Sequence, residues 1–184
     1  MLYRYLSACI LFFLTLVVLS CSKDAVTRSS LDTNILFYSS FEKICRPSLD
    51  GWYPDSTTIY MEFSRDVPSN GGFWSLSINN TLKPQDMRVM GETSTLSGTT
   101  SYRFSFWAKA KGVPGHAMLG ARRTGHAYAM KAIGVESDST WIQYSDSLTV
   151  DGDTNVYVVF GLSGRSTYSS GTTWFDLVKL EKID

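Results

Sequence analysis

The sequence predicts an all-β fold, an antiparallel sandwich. Three observations carry this. Short runs rich in Val, Ile, Thr and aromatic residues alternate apolar with polar side chains, the period of a half-buried strand. Gly, Asn, Asp and Ser separate these runs at short intervals. No segment of the body has a helical period long enough to cover a sheet, so a second sheet must do so.

The first residues stand apart from that pattern. Met1 to Tyr5 carry one positive charge, Arg4, and Leu6 to Leu19 carry none. This apolar run falls short of the roughly 20 residues a membrane span needs and fits a secretory signal. It ends in Val18-Leu19-Ser20-Cys21, followed at once by polar Ser22-Lys23-Asp24, which resembles a bacterial lipobox. Residues 1–20 are thus expected to be a lipoprotein signal peptide, and Cys21 the lipidated residue that anchors the chain to the membrane. The alternative is an ordinary cleaved signal with a chance cysteine. Residues 21–33 read as a lipidated tether, short, polar and unpatterned. Ser22-Lys23-Asp24 carries no clear inner-membrane retention signal, which favours the outer membrane and leaves its face open. Residues 34–184 are expected to form the sandwich domain.

Removing the signal takes away one of the 17 bases, Arg4, and none of the 17 acids. The near-balance and the lack of a basic stripe exclude a nucleic-acid partner. Of the three cysteines, Cys9 and Cys21 lie in the signal and the anchor, leaving Cys45 alone in the body, where no internal disulfide can form.

Strands are expected at Ile35–Tyr38, Thr58–Phe63, Phe73–Ile78, Gln85–Met90, Ser101–Ala110, His116–Arg122, Ala127–Ile133, Thr140–Val150, Asn155–Leu162 and Thr173–Leu180. Arg122-Arg123-Thr124-Gly125 and Asp151-Gly152-Asp153 read as hairpin turns. In Ser101–Ala110, Tyr102, Phe104, Phe106, Ala108 and Ala110 make an apolar face, against Arg103, Ser105, Trp107 and Lys109. One large ring, Trp107, thus stands on a polar face. In Thr140–Val150, Asp146 interrupts an otherwise apolar face, which suggests a bulge or another register.

Five segments, in order, resemble carbohydrate-binding modules of families 4, 9, 16 and 22. FYSSFEKICRPSLDGW (Phe37 to Trp52) is similar to their opening, Asn-Gly-Ser-Phe-Glu followed by a loop and Gly-Trp. GGFWSLSIN (Gly71 to Asn79), SYRFSFWAKAKG (Ser101 to Gly112), TWIQYSDSLTV (Thr140 to Val150) and TWFDLVKLEKI (Thr173 to Ile183) are similar to later strands of the family. The chain departs from the pattern at Tyr38-Ser39, where Asn-Gly is usual, and at Leu177, where a second Asp is common. The resemblance implies a jelly-roll, galactose-binding-domain-like sandwich.

It also implies a glycan ligand and one structural calcium ion. The residues that match the family's calcium site are Glu42 and Asp176. Each carboxylate is flanked by bulky apolar residues and needs a partner, which calcium, backbone amides, Lys43 or Lys179 would supply. Sugars are held by flat rings beside planar polar groups. Trp107 with Arg103, Trp141 with Gln143, Tyr157, and Trp52 in a loop are the candidate ligand-binding residues, provided their strands share one concave sheet. The alternative for Trp107 is burial beneath a loop that crosses the sheet. His116 and His126 have no Cys or carboxylate at ligand spacing and read as surface residues.

No nucleophile elbow, P-loop, His-Glu-x-x-His or dinucleotide fingerprint occurs. The expected function is therefore that of a non-catalytic cell-envelope lipoprotein that binds poly- or oligosaccharide through one face of its sandwich. The alternative is a structural or adhesion lipoprotein that uses the same scaffold for contact with an envelope protein partner.

Overall fold

The structure is a computed structural model, and it describes residues 34–44, 46–54, 61–79, 88–92, 99–112, 115–123, 126–136, 139–150, 156–163 and 171–183. The strands are β1 (Ile35–Ser39), β2 (Glu42–Lys43), β3 (Arg46–Pro47), β4 (Tyr53–Pro54), β5 (Met61–Ser64), β6 (Ser75–Asn79), β7 (Arg88–Glu92), β8 (Thr100–Lys111), β9 (Gly115–Arg123), β10 (His126–Val135), β11 (Ile142–Val150), β12 (Val156–Ser163) and β13 (Thr172–Ile183). Each expected strand has its counterpart, and β2, β3 and β4 are short additions. Cys21, the signal and the tether lie outside the described residues.

Two antiparallel sheets face each other. The first runs β11-β8-β13-β6-β5, with β1 also paired to β13; the second runs β10-β9-β12-β7-β4. Period-two alternation decides what lies between them. From the first sheet come Tyr102, Phe104, Phe106, Ala108, Ala110, Phe175, Val178 and Leu180, and from the second Ala117, Leu119 and Val135, all buried in one cluster. Phe106 is its hub, stacked on Tyr144 at 5.7 Å and tilted against Phe175 at 5.9 Å. Truncating such a buried ring costs about 3–5 kcal/mol.

At Gly115 the sheets approach so closely that a Cβ would collide with Oγ1 of Thr173 on β13. Any side chain there would force the sheets apart.

Two expectations are corrected. β11 and β12 lie in different sheets, so residues 151–153, themselves outside the described residues, do not link a hairpin: the chain crosses between layers. Asp146 makes no bulge, because β11 pairs with β8 in unbroken register and sets Asp146 opposite Phe104. The carboxylate is tolerated on the inner side because β11 is an edge strand. There it meets Lys131 of the other sheet's edge strand at 3.1 Å, so an ion pair closes the open side of the sandwich.

Candidate functional site

The strand order divides the candidate ligand-binding residues between the two sheets, and the expectation of one shared concave face is corrected. Gln143 lies opposite Trp107 in the first sheet, whereas Tyr157 lies opposite Arg122 in the second. Trp52 is corrected as well. It is 4% exposed, stacked on Phe41 at 5.6 Å and edge-on to Phe37 at 5.2 Å, so its ring belongs to the core.

The outer face of the first sheet is built on β8 and β13. In register, Trp174 faces Lys109, Asp176 faces Trp107, Lys179 faces Ser105 and Glu181 faces Arg103. The segment 65–74, which joins β5 to β6, folds across this face. Asp66 receives an ion pair from Lys109 and the indole N–H of Trp141 at 3.1 Å. The Lys109 ammonium lies 5.0 Å from the centroid of Trp174 and 5.4 Å from that of Trp141, close enough for cation–π attraction. Burial pushes the Asp66 carboxyl up, but the hydrogen bonds from Lys109 and Trp141 outweigh it and hold the group below the usual carboxylate value. Arg65 stacks over Trp74 at 3.7 Å. Trp107 is half-buried within this assembly. Arg103 and Gln143 are exposed beyond it, and Arg103 reaches Glu181 at 3.6 Å. The polar-face tryptophan thus stands beside a small aromatic and ionic layer under a crossing segment.

Glu42 and Asp176 meet at a fork. β13 pairs first with β6 through Phe175 and then with β1 from Val178, with a register shift between. Leu177 stands at this bulge with φ 49°, and Phe41, just before Glu42, has φ 55°. A bulky residue in the left-handed region is strained, and both instances adjoin the carboxylates. Glu42 Oε1 accepts the Phe73 N–H at 2.8 Å, and Asp176 Oδ1 accepts the Leu177 N–H at 2.7 Å. A Cβ on Gly71 would lie 2.5 Å from Asp176 Oδ2, so both acids abut residues 71–73 from opposite sides of the fork. Their other oxygens, Glu42 Oε2 and Asp176 Oδ2, are buried and accept no hydrogen bond within the protein, although both residues have further contacts. Two carboxylates beside irregular backbone fit a hard cation that takes backbone carbonyls as well. Among the described residues no third His, Cys, Asp or Glu joins them.

The second sheet offers a different outer face. Ala117 and Leu119 are in the core, so alternation puts positions 116, 118, 120 and 122 of β9 on the outer side. Register then extends the face strand by strand. Gly134, His116, Ser163 and Arg88 form one row; Ala132, Met118, Gly161, Met90 and Tyr53 the next; Met130, Gly120, Val159 and Glu92 a third; and Arg122 with Tyr157 a fourth. Ala132, Gly134, Gly120 and Gly161 put small residues on three adjacent strands. Met118 is only 8% exposed yet lies outside the core cluster. His116 and His126 stand at opposite ends of the β9–β10 pair, apart from each other as expected.

The comparisons with known proteins agree with this architecture. A family model described as a carbohydrate binding domain, CBM_4_9, matches residues 33–168. The chain belongs to this family. No curated protein matches it. Among solved structures, the carbohydrate-binding domain is similar to the CBM22-1 xylan-binding domain of Paenibacillus barcinonensis Xyn10C, at 13% identity and a TM-score of 0.58, over 85% of this chain and 99% of that one. It is also similar to the CBM22-1–GH10 modules of Clostridium thermocellum xylanase Xyn10B complexed with xylohexaose, at 15% identity and a TM-score of 0.57, over 83% of this chain and 29% of that one. A putative sugar binding protein from Bacteroides thetaiotaomicron matches at 11% identity and a TM-score of 0.51, over 72% of this chain and 87% of that one. At these identities the likeness concerns the fold.

Sequence reasoning missed Asp66 and Lys109 as the bridge that closes one face. It also missed His116, Met118, Arg122, Arg88 and Glu92 as co-facial positions. A sequence signal did exist for the second group: the turn at Arg122–Gly125 pairs β9 with β10, and alternation from that turn gives the outer positions.

Proposed function

We propose that this is a non-catalytic, lipid-anchored carbohydrate-binding domain of the bacterial envelope, which takes an oligo- or polysaccharide on the outer face of the β10-β9-β12-β7-β4 sheet. The observation that carries this reading is the contrast between the two outer faces. One is crossed by segment 65–74, pinned through Asp66; on the other, register places Tyr157 and Tyr53 at outer positions, with Gly120 and Gly161 between them. Of the residues singled out from the sequence, Tyr157 is retained as a ligand contact. Trp107, Trp141, Arg103 and Gln143 are assigned to the closed layer and its margin.

The non-catalytic reading rests on the carboxylates. Glycoside hydrolysis needs two at a set separation, and Glu92 is the one acid at the outer positions among the described residues. Glu42 and Asp176 are assigned to a calcium ion whose work is mechanical: it ties the end of β1, the approach to β6 and the bulge of β13 together. Cys21 would carry the lipid and hold the domain near the outer membrane.

A glycan array probed with the full chain in detergent tests the central claim. Binding to a defined glycan class, lost in Tyr157→Ala, supports it. A folded protein that binds no glycan contradicts it and favours the protein-contact alternative.

A further inference from the structure

We propose that the β2-β3 hairpin is a lipid-contacting tip: Ile44 enters the headgroup region of the membrane that carries the chain, with Lys43 and Arg46 against its anionic headgroups. This inference rests on the reading that Cys21 anchors the chain, and it goes beyond it by giving the domain a defined seat on the bilayer.

The argument starts from the turn. Glu42 pairs with Pro47 and Lys43 with Arg46, so Ile44 and Cys45 are the two residues that join β2 to β3. Two-residue hairpin connections favour Asn-Gly or Asp-Gly, because the backbone must take positive φ there. Ile44 takes φ 50°, in the left-handed region where a β-branched residue is a genuine outlier. No packing offsets this. Ile44 is 88% exposed, more than twice as much as Leu36 or Phe73, the other exposed large apolar side chains among the described residues. A costly backbone state kept without burial points to a contact outside the chain.

The base of the hairpin is firmly held. The Ser48 N–H donates to the Phe41 carbonyl at 2.8 Å, Phe41 is fully buried, and Lys43 pairs with Asp50 at 2.8 Å. Glu42 Oε1 accepts the Phe73 N–H, so a second exposed apolar residue adjoins the base. The tip is therefore presented by the core and braced from the side.

Shape and charge select the occupant. A protein interface is built on a broad patch with a central anchor seated in a pocket, and a single convex aliphatic is no such patch. A headgroup layer yields to a convex tip and needs no pocket, and basic residues beside the apolar one match anionic lipid. Lys43 and Arg46 stand opposite each other behind Ile44, and both are exposed. Reach is sufficient. Asn34 lies 13 residues after Cys21, a link of at most about 45 Å when extended. The longest strands, β8 and β13, have 12 residues each and measure about 40 Å. The domain can thus turn this tip to the bilayer, and anchoring holds it there at high effective concentration.

The experiment is fluorescence quenching by brominated lipid. The full chain is purified from bacterial membranes and reconstituted into phosphatidylcholine vesicles, with and without phosphatidylglycerol. Ile44→Trp is compared with Thr149→Trp and with the parent, whose five tryptophans set the background. Thr149 is exposed at the end where the chain enters the domain: it pairs with Ser101, Ser101 pairs with Ile183, and the neighbouring Lys182 N–H bonds the Asn34 carbonyl. The expected result is that brominated lipid quenches the emission added at position 44, which shifts to the blue, and leaves the emission added at position 149 unchanged. Phosphatidylglycerol should strengthen the quenching, and Arg46→Gln should weaken that dependence. Added emission at position 44 that stays solvent-like and unquenched overturns the inference. Quenching at position 149 alone also overturns it, since the domain would then rest on its tether end. Ile44→Asn tests for a purely structural role. It should melt at or above the parent, because Asn tolerates the left-handed region, and a marked fall would make Ile44 a residue of the fold and overturn the inference. Mass spectrometry of the same preparation reads the lipid on Cys21. A chain without that lipid removes the anchored reading and this inference with it, whereas a lipidated chain unquenched at position 44 removes the tip alone.

Discussion

The two outer faces of this sandwich are made by the same alternation, yet they are filled differently. On the first sheet, polar positions of β8 and β13 carry large rings and an ammonium, and a crossing segment seals them through Asp66, Lys109 and Trp141. On the second sheet, register places Gly120, Gly161, Ala132 and Gly134 at outer positions, with Tyr157 on β12. A tryptophan on a polar face is therefore not in itself a binding ring. What decides is whether another part of the chain covers it, and here segment 65–74 is pinned beside it, through Lys109 and Trp141.

The strongest way to break this comparison is to disturb both faces at once. Gly115→Val, where the sheets leave no room for a Cβ, is expected to cost about 3 kcal/mol of stability by overpacking, read as a lower denaturation midpoint. Any loss of glycan binding should then track unfolding.

Next in size is a change confined to the second face. Tyr157→Ala is expected to cost about 2 kcal/mol of binding, roughly thirtyfold in Kd, with no comparable fall in melting temperature. Trp107→Ala should do the reverse.

Asp66→Asn sharpens the account of the closed face. It removes an ion pair whose lysine side chain is 11% exposed, and should cost about 1 kcal/mol. The discount from a buried pair reflects the partial exposure of Asp66 itself. The sign of the pH dependence follows. The folded-state carboxyl is held below its usual value, so its contribution is present above the ordinary carboxylate range and is lost as pH falls through the folded value. Melting curves of the parent and Asp66→Asn should differ at neutral pH and converge only once the pH has fallen below the ordinary carboxylate range.

The smallest effect is expected at the edge. Lys131→Met breaks the exposed pair with Asp146 and should change stability by less than about 1 kcal/mol, with no change in binding.

Much of the architecture was legible in the sequence, because alternation is a local property. The inward row Tyr102, Phe104, Phe106, Ala108 and Ala110 could be read residue by residue, and all five are buried. What the sequence could not carry was which strand joins which sheet. Thr140–Val150 and Asn155–Leu162 look like neighbours joined by Asp-Gly-Asp, yet they belong to opposite layers, because a sandwich with crossing connections separates strands that are adjacent in the chain. The same gap explains the fate of the candidate site. Trp107, Gln143 and Tyr157 each alternate as expected, but without the sheet order they could not be assigned to different faces. Trp52 shows a further limit: a ring beside Gly51 in a loop reads as exposed until Phe37 and Phe41 are seen to enclose it. Glu42 and Asp176 meet at one fork through a bulge that only the paired strands reveal.

The measurement that tests the account most directly is the affinity of a glycan identified on the array for three proteins, the parent, Tyr157→Ala and Trp107→Ala, each shown to be folded. The account predicts that Tyr157→Ala binds the glycan roughly thirtyfold more weakly and that Trp107→Ala keeps it while melting at a lower temperature. Loss of binding in Trp107→Ala with full retention in Tyr157→Ala would contradict it, and would return the binding face to the sheet that segment 65–74 crosses.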